Sequence, residues 1–143
     1  MGDFTFLVIG ESKVGKSSII NNLCYNNYLY VNTNKGVVIV HCIEKKDIDN
    51  IPPIDGIIMV FDVSNINSYQ LLYNWYPVYI TVTKNVVLCG NKCDLNHRAV
   101  KYQSINLHTF NNIKYFDITS YDNLQKIYIP LLKNILGQDL ICL

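Results

Sequence analysis

The sequence has few charged residues, and it contains neither a cluster of lysine and arginine nor an acidic run. Charged residues make up 16% of its 143 residues and the formal net charge is +1, which indicates no binding to nucleic acid or to an anionic membrane. No apolar run is long enough to cross a bilayer, and the first ten residues lack the basic start of a signal peptide. We therefore expect an intracellular protein, cytoplasmic, nuclear or both, with no nucleic-acid partner and no membrane partner.

Paired cysteine spacing is also lacking, which excludes a disulfide framework and a cysteine-based zinc site. An odd number of cysteines without a secretion signal is typical of free thiols in a reducing compartment. The five are Cys24, Cys42, Cys89, Cys93 and Cys142. Half of the residues are hydrophobic, so the length and composition predict one globular domain over residues 1–143.

What the sequence does contain is a glycine-rich segment between an apolar run and a run that favours a helix. Residues 10–18 read G-E-S-K-V-G-K-S-S and match the phosphate-binding pattern G-x-x-x-x-G-K-S. The run Phe4–Ile9 predicts a strand before this loop, and the run Lys16–Cys24 predicts a helix after it. Strand, loop and helix in this order are the context that the motif requires.

Each motif residue has a chemical role in holding a phosphate. Gly10 and Gly15 let backbone N–H groups point inward at the anion, and the helix dipole adds to the attraction. Lys16 supplies a cation for the β- and γ-phosphates, and the Ser17 hydroxyl is a ligand for Mg²⁺. The predicted phosphate-binding residues are Gly10, Glu11, Ser12, Lys13, Val14, Gly15, Lys16, Ser17 and Ser18.

The rest of the chain alternates predicted strands with predicted helices. Further strands are expected at Gly36–Ile43, Ile57–Phe61, Asn85–Gly90 and Lys114–Ile118. Helices are expected from Ser64-Asn65, from a cap at Asn74, over Tyr102–Phe110 and over Asn123–Leu136, with loops over Tyr25–Lys35 and Glu44–Pro53. This order predicts a three-layer α/β fold, with a mostly parallel sheet of about five strands and helices on both faces. Ligands of such sheets bind at the carboxyl ends of the strands.

Polar motifs follow two of these strands. Asn91, Lys92 and Asp94 form an N-K-x-D sequence. The Asp94 carboxylate can accept two hydrogen bonds from guanine where adenine offers no donors, so the contact selects the base. The Asn91 amide can meet the other edge of the base and the Lys92 stem can cover its face. Alone, N-K-x-D is also compatible with a polar turn, and its position after a strand favours guanine binding.

The turn after the last strand reads Asp117-Ile118-Thr119-Ser120-Tyr121. A backbone N–H at Thr119 or Ser120 is in a position to bond the guanine carbonyl.

Together these segments resemble the small GTPases of the Ras superfamily. Glu11–Ser18 is most similar to the Rab branch and the remainder to the Ran branch. The resemblance outside the loop is carried by residues 57–63 (I-I-M-V-F-D-V), Asn74-Trp75, residues 87–92 (V-L-C-G-N-K) and residues 115–119 (Y-F-D-I-T). It implies a phosphate-loop NTPase fold that binds GTP or GDP with Mg²⁺. For the Ran branch it also implies nuclear transport receptors, or regulators of Ran-like GTPases, as partners.

The chain also departs from this family in the regions that contact the γ-phosphate. The D-x-x-G segment and the glutamine that usually follows it are absent, and the domain is shortened between residues 34 and 56. The resemblance implies Thr33 as the switch threonine that binds Mg²⁺, beside Ser17. Lys13 stands where the family has a small residue, and Thr119-Ser120-Tyr121 replaces Ser-Ala-Lys. No catalytic residue is assigned, and GTP hydrolysis is expected to be very slow or absent.

Three functions remain open at this stage. The first is a guanine-nucleotide-binding protein with residual GTPase activity. The second is a degenerate, non-catalytic mimic that acts by binding partners of the Ran-like machinery. The third is another phosphate-loop enzyme that uses ATP, and N-K-x-D disfavours it.

One strand has two possible positions. Gly36–Ile43 can be an antiparallel edge strand, or it can lie parallel beside the first strand through a right-handed crossover. We expect the inner parallel position, because the alternative leaves unpaired backbone groups beside Phe4–Ile9. That position puts Glu44 near the phosphate loop, where it, or Asp47, is a candidate to hold a Mg²⁺-bound water. The alternative is that both are solvated loop charges.

Overall fold

A computed structural model describes residues 2–45, 50–92, 98–101, 105, 113–119 and 124–143. Within these residues the chain forms six strands and three helices. In chain order they are β1 (Gly2–Ile9), α1 (Lys16–Leu23), β2 (Tyr28–Thr33), β3 (Gly36–Lys45), β4 (Gly56–Asp62), α2 (Ile66–Tyr79), β5 (Val86–Asn91), β6 (Lys114–Asp117) and α3 (Gln125–Leu136). The sheet order is β2-β3-β1-β4-β5-β6, and every neighbouring pair is parallel except β2 and β3. The predicted α/β fold with a mostly parallel sheet is confirmed.

Different helices cover the two faces of the sheet. Every residue of β4 and β5 is buried, as expected for central strands of a parallel sheet between two helical layers. On one face α1 and α3 contribute Ile19, Ile127 and Leu131 to the core. On the other face α2 contributes Leu72 and Tyr76. The molecule therefore has the three layers that the sequence predicts.

The prediction of a loop over residues 25–35 is wrong, because Tyr28–Thr33 forms β2 and pairs antiparallel with β3. Its residues alternate between exposed and buried, which is the pattern of an edge strand with one face on the core. The many asparagines around the strand hide this alternation in the sequence. The sheet therefore has six strands and not five, and only residues 24–27 connect α1 to the edge strand.

The expected inner position of Gly36–Ile43 is confirmed, since β3 lies parallel to β1 in a register that pairs Val8 with Glu44. The strand is longer than predicted and ends at Lys45, so Glu44 belongs to a strand and not to a loop. The structure has both an antiparallel edge strand, β2, and an inner parallel strand, β3. The carboxyl ends of β1 and β3 consequently meet at the phosphate loop.

The helix boundary predicted at Asn74 is also wrong. One helix runs through it, and the cap is Asn65, whose side chain accepts a hydrogen bond of 3.0 Å from the backbone N–H of Asn67. Buried side chains at Tyr69, Leu72, Tyr76 and Tyr79 follow the helical period and stay on one face, so the helix continues as far as its packing does. Pro77 lies in the last turn.

Some predicted features lie outside the described residues. They are Asp47, Cys93, Asp94, Ser120 and, apart from Ile105, the helix over residues 102–110. In the described part of the chain, no helix combines the length and apolarity needed to cross a bilayer.

Candidate functional site

The phosphate loop joins the carboxyl end of β1 to the first residue of α1. Gly10 passes so close to β4 that a Cβ there would collide with the Val60 carbonyl oxygen. Gly15 has a φ of 102°, a backbone conformation that residues with a side chain rarely adopt. It is the N-cap of α1 and makes no side-chain hydrogen bond there. The positive end of the helix dipole therefore lies uncapped at the loop.

Lys16 is held in the centre of this loop. Its side chain is almost fully buried, with 4% of the residue exposed. The ammonium group donates to the carbonyl oxygens of Gly10 and Glu11, both at 2.7 Å. A buried cation requires compensating acceptors, and here the loop's own carbonyls supply them. The charge is thus placed beside the uncapped helix terminus.

A cavity of about 340 Å³ opens beside the loop. Its lining residues are Lys13, Gly15, Lys16, Ser17, Ser18 and Lys92. Three lysines and a helix N-terminus make this cavity attractive to an anion with several negative charges. The residues present therefore fit the phosphate chain of a nucleotide.

The Ser17 hydroxyl does not stand alone in this site. It donates to both carboxylate oxygens of Glu44, at 3.0 Å to Oε1 and 2.8 Å to Oε2. The strand register explains the contact, because Glu44 pairs with Val8 at the end of β1, just before the loop. The predicted position of Glu44 near the phosphate loop is confirmed.

A hydroxyl and a carboxylate are hard oxygen ligands of the kind that Mg²⁺ prefers. The described residues contain no group of three or more acidic, histidine or cysteine side chains that would form a complete metal cage. Mg²⁺ is usually bound by one or two protein oxygens together with phosphates and water. The pair of Ser17 and Glu44 therefore fits a Mg²⁺ ion whose other ligands are phosphate oxygens and water.

Thr33, which the resemblance implies as a Mg²⁺ ligand, does not lie at this site in the structure. It pairs with Gly36 at the hairpin turn, and Glu44 lies eight positions further along β3, about 26 Å away at ~3.3 Å per residue. The Thr33 hydroxyl donates to the Gly36 carbonyl at 2.6 Å and accepts from the Lys35 N–H at 3.0 Å. Its role in the structure is to close the hairpin.

Asn91 and Lys92 connect the end of β5 to the phosphate loop. Asn91 is completely buried, and its amide nitrogen donates to the Val14 carbonyl at 2.8 Å. The Lys92 ammonium donates to the Lys13 carbonyl at 2.8 Å. This amide therefore supports the loop, and the expectation that it also meets the edge of the base stays a prediction.

Lys92 also forms an ion pair with Asp62 at the end of β4, with 2.9 Å between Nζ and Oδ2. Burial alone would raise the pKa of Asp62. Hydrogen bonds from Ser64 and Lys92, together with the Lys92 charge, outweigh it and hold the pKa below its ordinary value. Asp62 is therefore ionised at neutral pH and fixes the lysine that supports the loop.

The segments expected to read the base are described only in part. Asp94 and Ser120 lie outside the described residues, and Thr119 is half-buried after β6. The structure adds a contact that sequence reasoning missed. The Arg98 guanidinium forms two hydrogen bonds with the Asp117 carboxylate, at 2.9 and 3.0 Å. No motif in the sequence marks Arg98 as the partner of Asp117, because the two residues are 19 positions apart.

A parallel sheet with a glycine-rich loop, a caged lysine and an uncapped helix at the carboxyl end of β1 defines a phosphate-loop nucleotide-binding protein. Comparison with protein-family models identifies the family. Residues 46–137 match the model described as Ras: Ras family. The match covers more than half of the chain, so the chain belongs to the Ras family of small GTPases, and membership implies guanine-nucleotide binding. The matched region begins after the phosphate loop, so the loop geometry is separate evidence.

Proposed function

We propose that this protein is a Ran-like guanine-nucleotide-binding protein that binds GTP or GDP with Mg²⁺ and hydrolyses GTP very slowly or not at all. One observation carries the proposal. The Lys16 ammonium, the uncapped N-terminus of α1 and the contact between Ser17 and Glu44 all lie around one cavity. This arrangement supplies both parts of a nucleotide site, the phosphate cradle and the metal oxygens.

The phosphate chain is bound by charge and by backbone donors. Lys16 exchanges loop carbonyls for phosphate oxygens, which are stronger acceptors because they are charged. Lys13, exposed on the loop, adds positive charge at the rim, whereas the charge of Lys92 is balanced by Asp62. Lys13 takes the place of a small residue in the family, and we propose that it partly neutralises the γ-phosphate.

Ser17 and Glu44 would hold the metal. Glu44 comes from the strand end where the D-x-x-G aspartate of the family would begin, and it replaces that carboxylate in the proposal. Mg²⁺ neutralises phosphate charge when it is bound. Thr33 has no part in this set, because it lies at the other end of β3.

Base selection is assigned to Asp94, with a backbone N–H at Thr119 or Ser120. Family membership and the N-K-x-D motif support this assignment. The first two residues of the motif, Asn91 and Lys92, contact the phosphate loop, because their side chains bind the carbonyls of Val14 and Lys13.

Slow hydrolysis follows from what the chain provides near the γ-phosphate. Residues 11–69 contain no glutamine, so no counterpart of the water-orienting side chain is present in the sequence. Only ten residues connect β3 to β4, where the family has its second switch. We also propose that partner binding depends little on the nucleotide, because residues 28–33 form a sheet strand and not a switch loop.

Calorimetry with GTP, GDP and ATP, with and without Mg²⁺, tests the binding proposal. Lys16→Ala removes the phosphate cation and should weaken binding of both guanine nucleotides. Asp94→Ala should instead reduce the preference for GTP over ATP. If neither variant changes GTP binding, the site assignment is wrong. Asp139→Asn is the matched control, since Asp139 is exposed and pairs with Lys35.

Single-turnover hydrolysis of bound GTP tests the second part of the proposal. The expected rate is far below that of an ordinary small GTPase measured in parallel. An equal rate would contradict the assignment.

A non-catalytic mimic is the second candidate, and the short connection between β3 and β4 is the observation that favours it. Such a protein would bind transport receptors or regulators of Ran-like GTPases without needing nucleotide. The nucleotide content after gentle purification separates the two candidates. Bound GTP or GDP supports the first, whereas an empty protein that still binds those partners supports the second.

A further inference from the structure

Two lysines at the nucleotide cavity have left-handed backbone conformations, with φ of 71° at Lys13 and 65° at Lys92. Residues with a side chain rarely adopt this conformation, and it persists only where the surrounding structure holds it. One contact joins the two lysines directly, because the Lys92 ammonium donates to the Lys13 carbonyl oxygen at 2.8 Å. A side chain that follows β5 thus holds the strained part of the phosphate loop.

Asp62, the last residue of β4, fixes the Lys92 ammonium. Its Oδ2 accepts from Lys92 at 2.9 Å, and its Oδ1 accepts from the backbone N–H and the hydroxyl of Ser64, at 2.8 and 2.6 Å. Only 8% of the residue is exposed. Because protein donors bind both carboxylate oxygens, the carboxylate has one defined position and gives Lys92 a defined position as well.

Asp62 is itself held by the first turn of α2. Its backbone N–H donates to the Ser68 hydroxyl at 2.9 Å, and that hydroxyl donates to the Asn65 carbonyl at 2.6 Å. Ser68 is completely buried. A continuous set of hydrogen bonds therefore runs from the start of α2 through Asp62 and Lys92 to the phosphate loop.

The contact with Lys92 sets the orientation of the peptide group that joins Lys13 to Val14. In a trans peptide the C=O and the next N–H point in opposite directions, and the described residues contain no cis peptide bond. The Val14 N–H therefore points away from Lys92. The next peptide is held in the same way, because the Val14 carbonyl accepts from Asn91 and the Gly15 N–H points away from it. Successive backbone N–H groups turned to one side are what a phosphate-binding loop requires.

We propose that Asp62 is a positioning residue for the phosphate site. It fixes Lys92 on the Lys13 carbonyl, and so keeps the loop in the conformation that presents its N–H groups to an anion before the ligand arrives. A site that is ordered in advance binds more tightly, because less conformational freedom is lost on binding. Asp62 acts through Lys92 and does not touch the nucleotide. The inference rests on the nucleotide site proposed above, and its test separates the two.

The sign of the effect distinguishes positioning from charge. Asp62 is a negative group beside a site for an anion. If the carboxylate acted on the nucleotide by its charge alone, removing that charge should tighten binding. If it positions the loop, removing it should weaken binding. We expect the second result, with a loss of about tenfold, as for one hydrogen bond between charged groups.

Calorimetry of the full chain with GDP, at fixed Mg²⁺ and ionic strength, tests the inference. Asp62→Asn keeps the size of the side chain and should weaken GDP binding by about tenfold. Lys92→Met should also weaken binding. The double variant should bind no more weakly than Lys92→Met alone, because Asp62 acts through Lys92 and the two losses are not additive.

Asn85→Ala is the matched control for a loss of stability. Asn85 precedes β5 at the other end of that strand, and its amide donates to the carbonyls of Asp55 and Leu131, both at 3.0 Å. This variant should melt at a lower temperature than the wild type and bind GDP with unchanged affinity. Equal weakening of GDP binding in Asn85→Ala and Asp62→Asn would show a general effect of stability and overturn the inference.

Unchanged or tighter GDP binding in Asp62→Asn, or additive losses in the double variant, would also overturn it while Lys16→Ala still weakens binding. If Lys16→Ala binds GDP as the wild type does, the proposed nucleotide site is wrong and the inference fails with it. Should Asp62→Asn not fold, Ser64→Ala removes one donor to the same carboxylate. It should then give a smaller loss of GDP affinity, and no loss would refute the role of Asp62.

Discussion

Glu44→Gln is the substitution that most directly tests the metal half of the site. It keeps the size of the side chain and an oxygen that can accept from Ser17, but it removes the negative charge. In the structure Ser17 donates to both carboxylate oxygens, so this charge lies within hydrogen-bonding distance of the predicted Mg²⁺ ligand. The variant should therefore weaken Mg²⁺ binding and leave the phosphate cradle around Lys16 intact.

The size of the effect follows from the position of the carboxylate. Removing a group that orients a metal ligand typically costs roughly 10- to 100-fold in metal affinity, or about 1.4–2.7 kcal/mol. Glu44 is exposed to solvent, and water and salt screen an exposed charge. We therefore expect about tenfold weaker Mg²⁺ enhancement of GTP binding, at the lower end of this range.

The assay is a Mg²⁺ titration of GTP affinity at fixed ionic strength. Asp55→Asn is the matched control, because Asp55 is a carboxylate that accepts from the Thr5 N–H at the opposite end of the sheet. GTP affinity in the absence of Mg²⁺ should not fall in either variant. Unchanged Mg²⁺ dependence in Glu44→Gln would refute the role given to this residue, even if GTP still binds.

Two further substitutions test other parts of the structure. Thr33→Val should lower the free energy of unfolding by about 1 kcal/mol, because the hydrogen bonds to Gly36 and Lys35 are lost. It should leave the Mg²⁺ dependence of GTP binding unchanged. Loss of that Mg²⁺ dependence would show that Thr33 belongs to the metal site. Asp62→Asn should lower the free energy of unfolding at pH 7 by about 1–2 kcal/mol, because the charged acceptor of Lys92 is removed. Since the folded-state pKa of Asp62 is lowered, the wild-type advantage should be constant above the ordinary pKa of about 3.9 and disappear as the pH falls through the lower folded value. Urea unfolding at several pH values measures this, and a difference that persists in strong acid would contradict the ion pair.

The phosphate loop and the central sheet are determined by the sequence because their signals are local. G-x-x-x-x-G-K-S specifies a backbone conformation within eight residues, and the structure has the predicted strand before it and the predicted helix after it. The apolar runs of β4 and β5 can be satisfied only between two helical layers. The inner position of β3 was also predicted, since an unpaired neighbour of β1 would leave backbone groups without partners.

The edge strand and the direct contacts of the site were decided by tertiary structure. β2 is short and has asparagines on both sides of it, so the surrounding sequence favours a loop, and pairing with β3 is what makes this segment a strand. The contact between Ser17 and Glu44 joins residues 27 positions apart, and that between Asn91 and Val14 joins residues 77 apart. Strand register brings these pairs together. A one-residue shift in the register would turn each side chain to the other face of the sheet, which is why spacing along the chain could identify the phosphate loop but not the residues that support it.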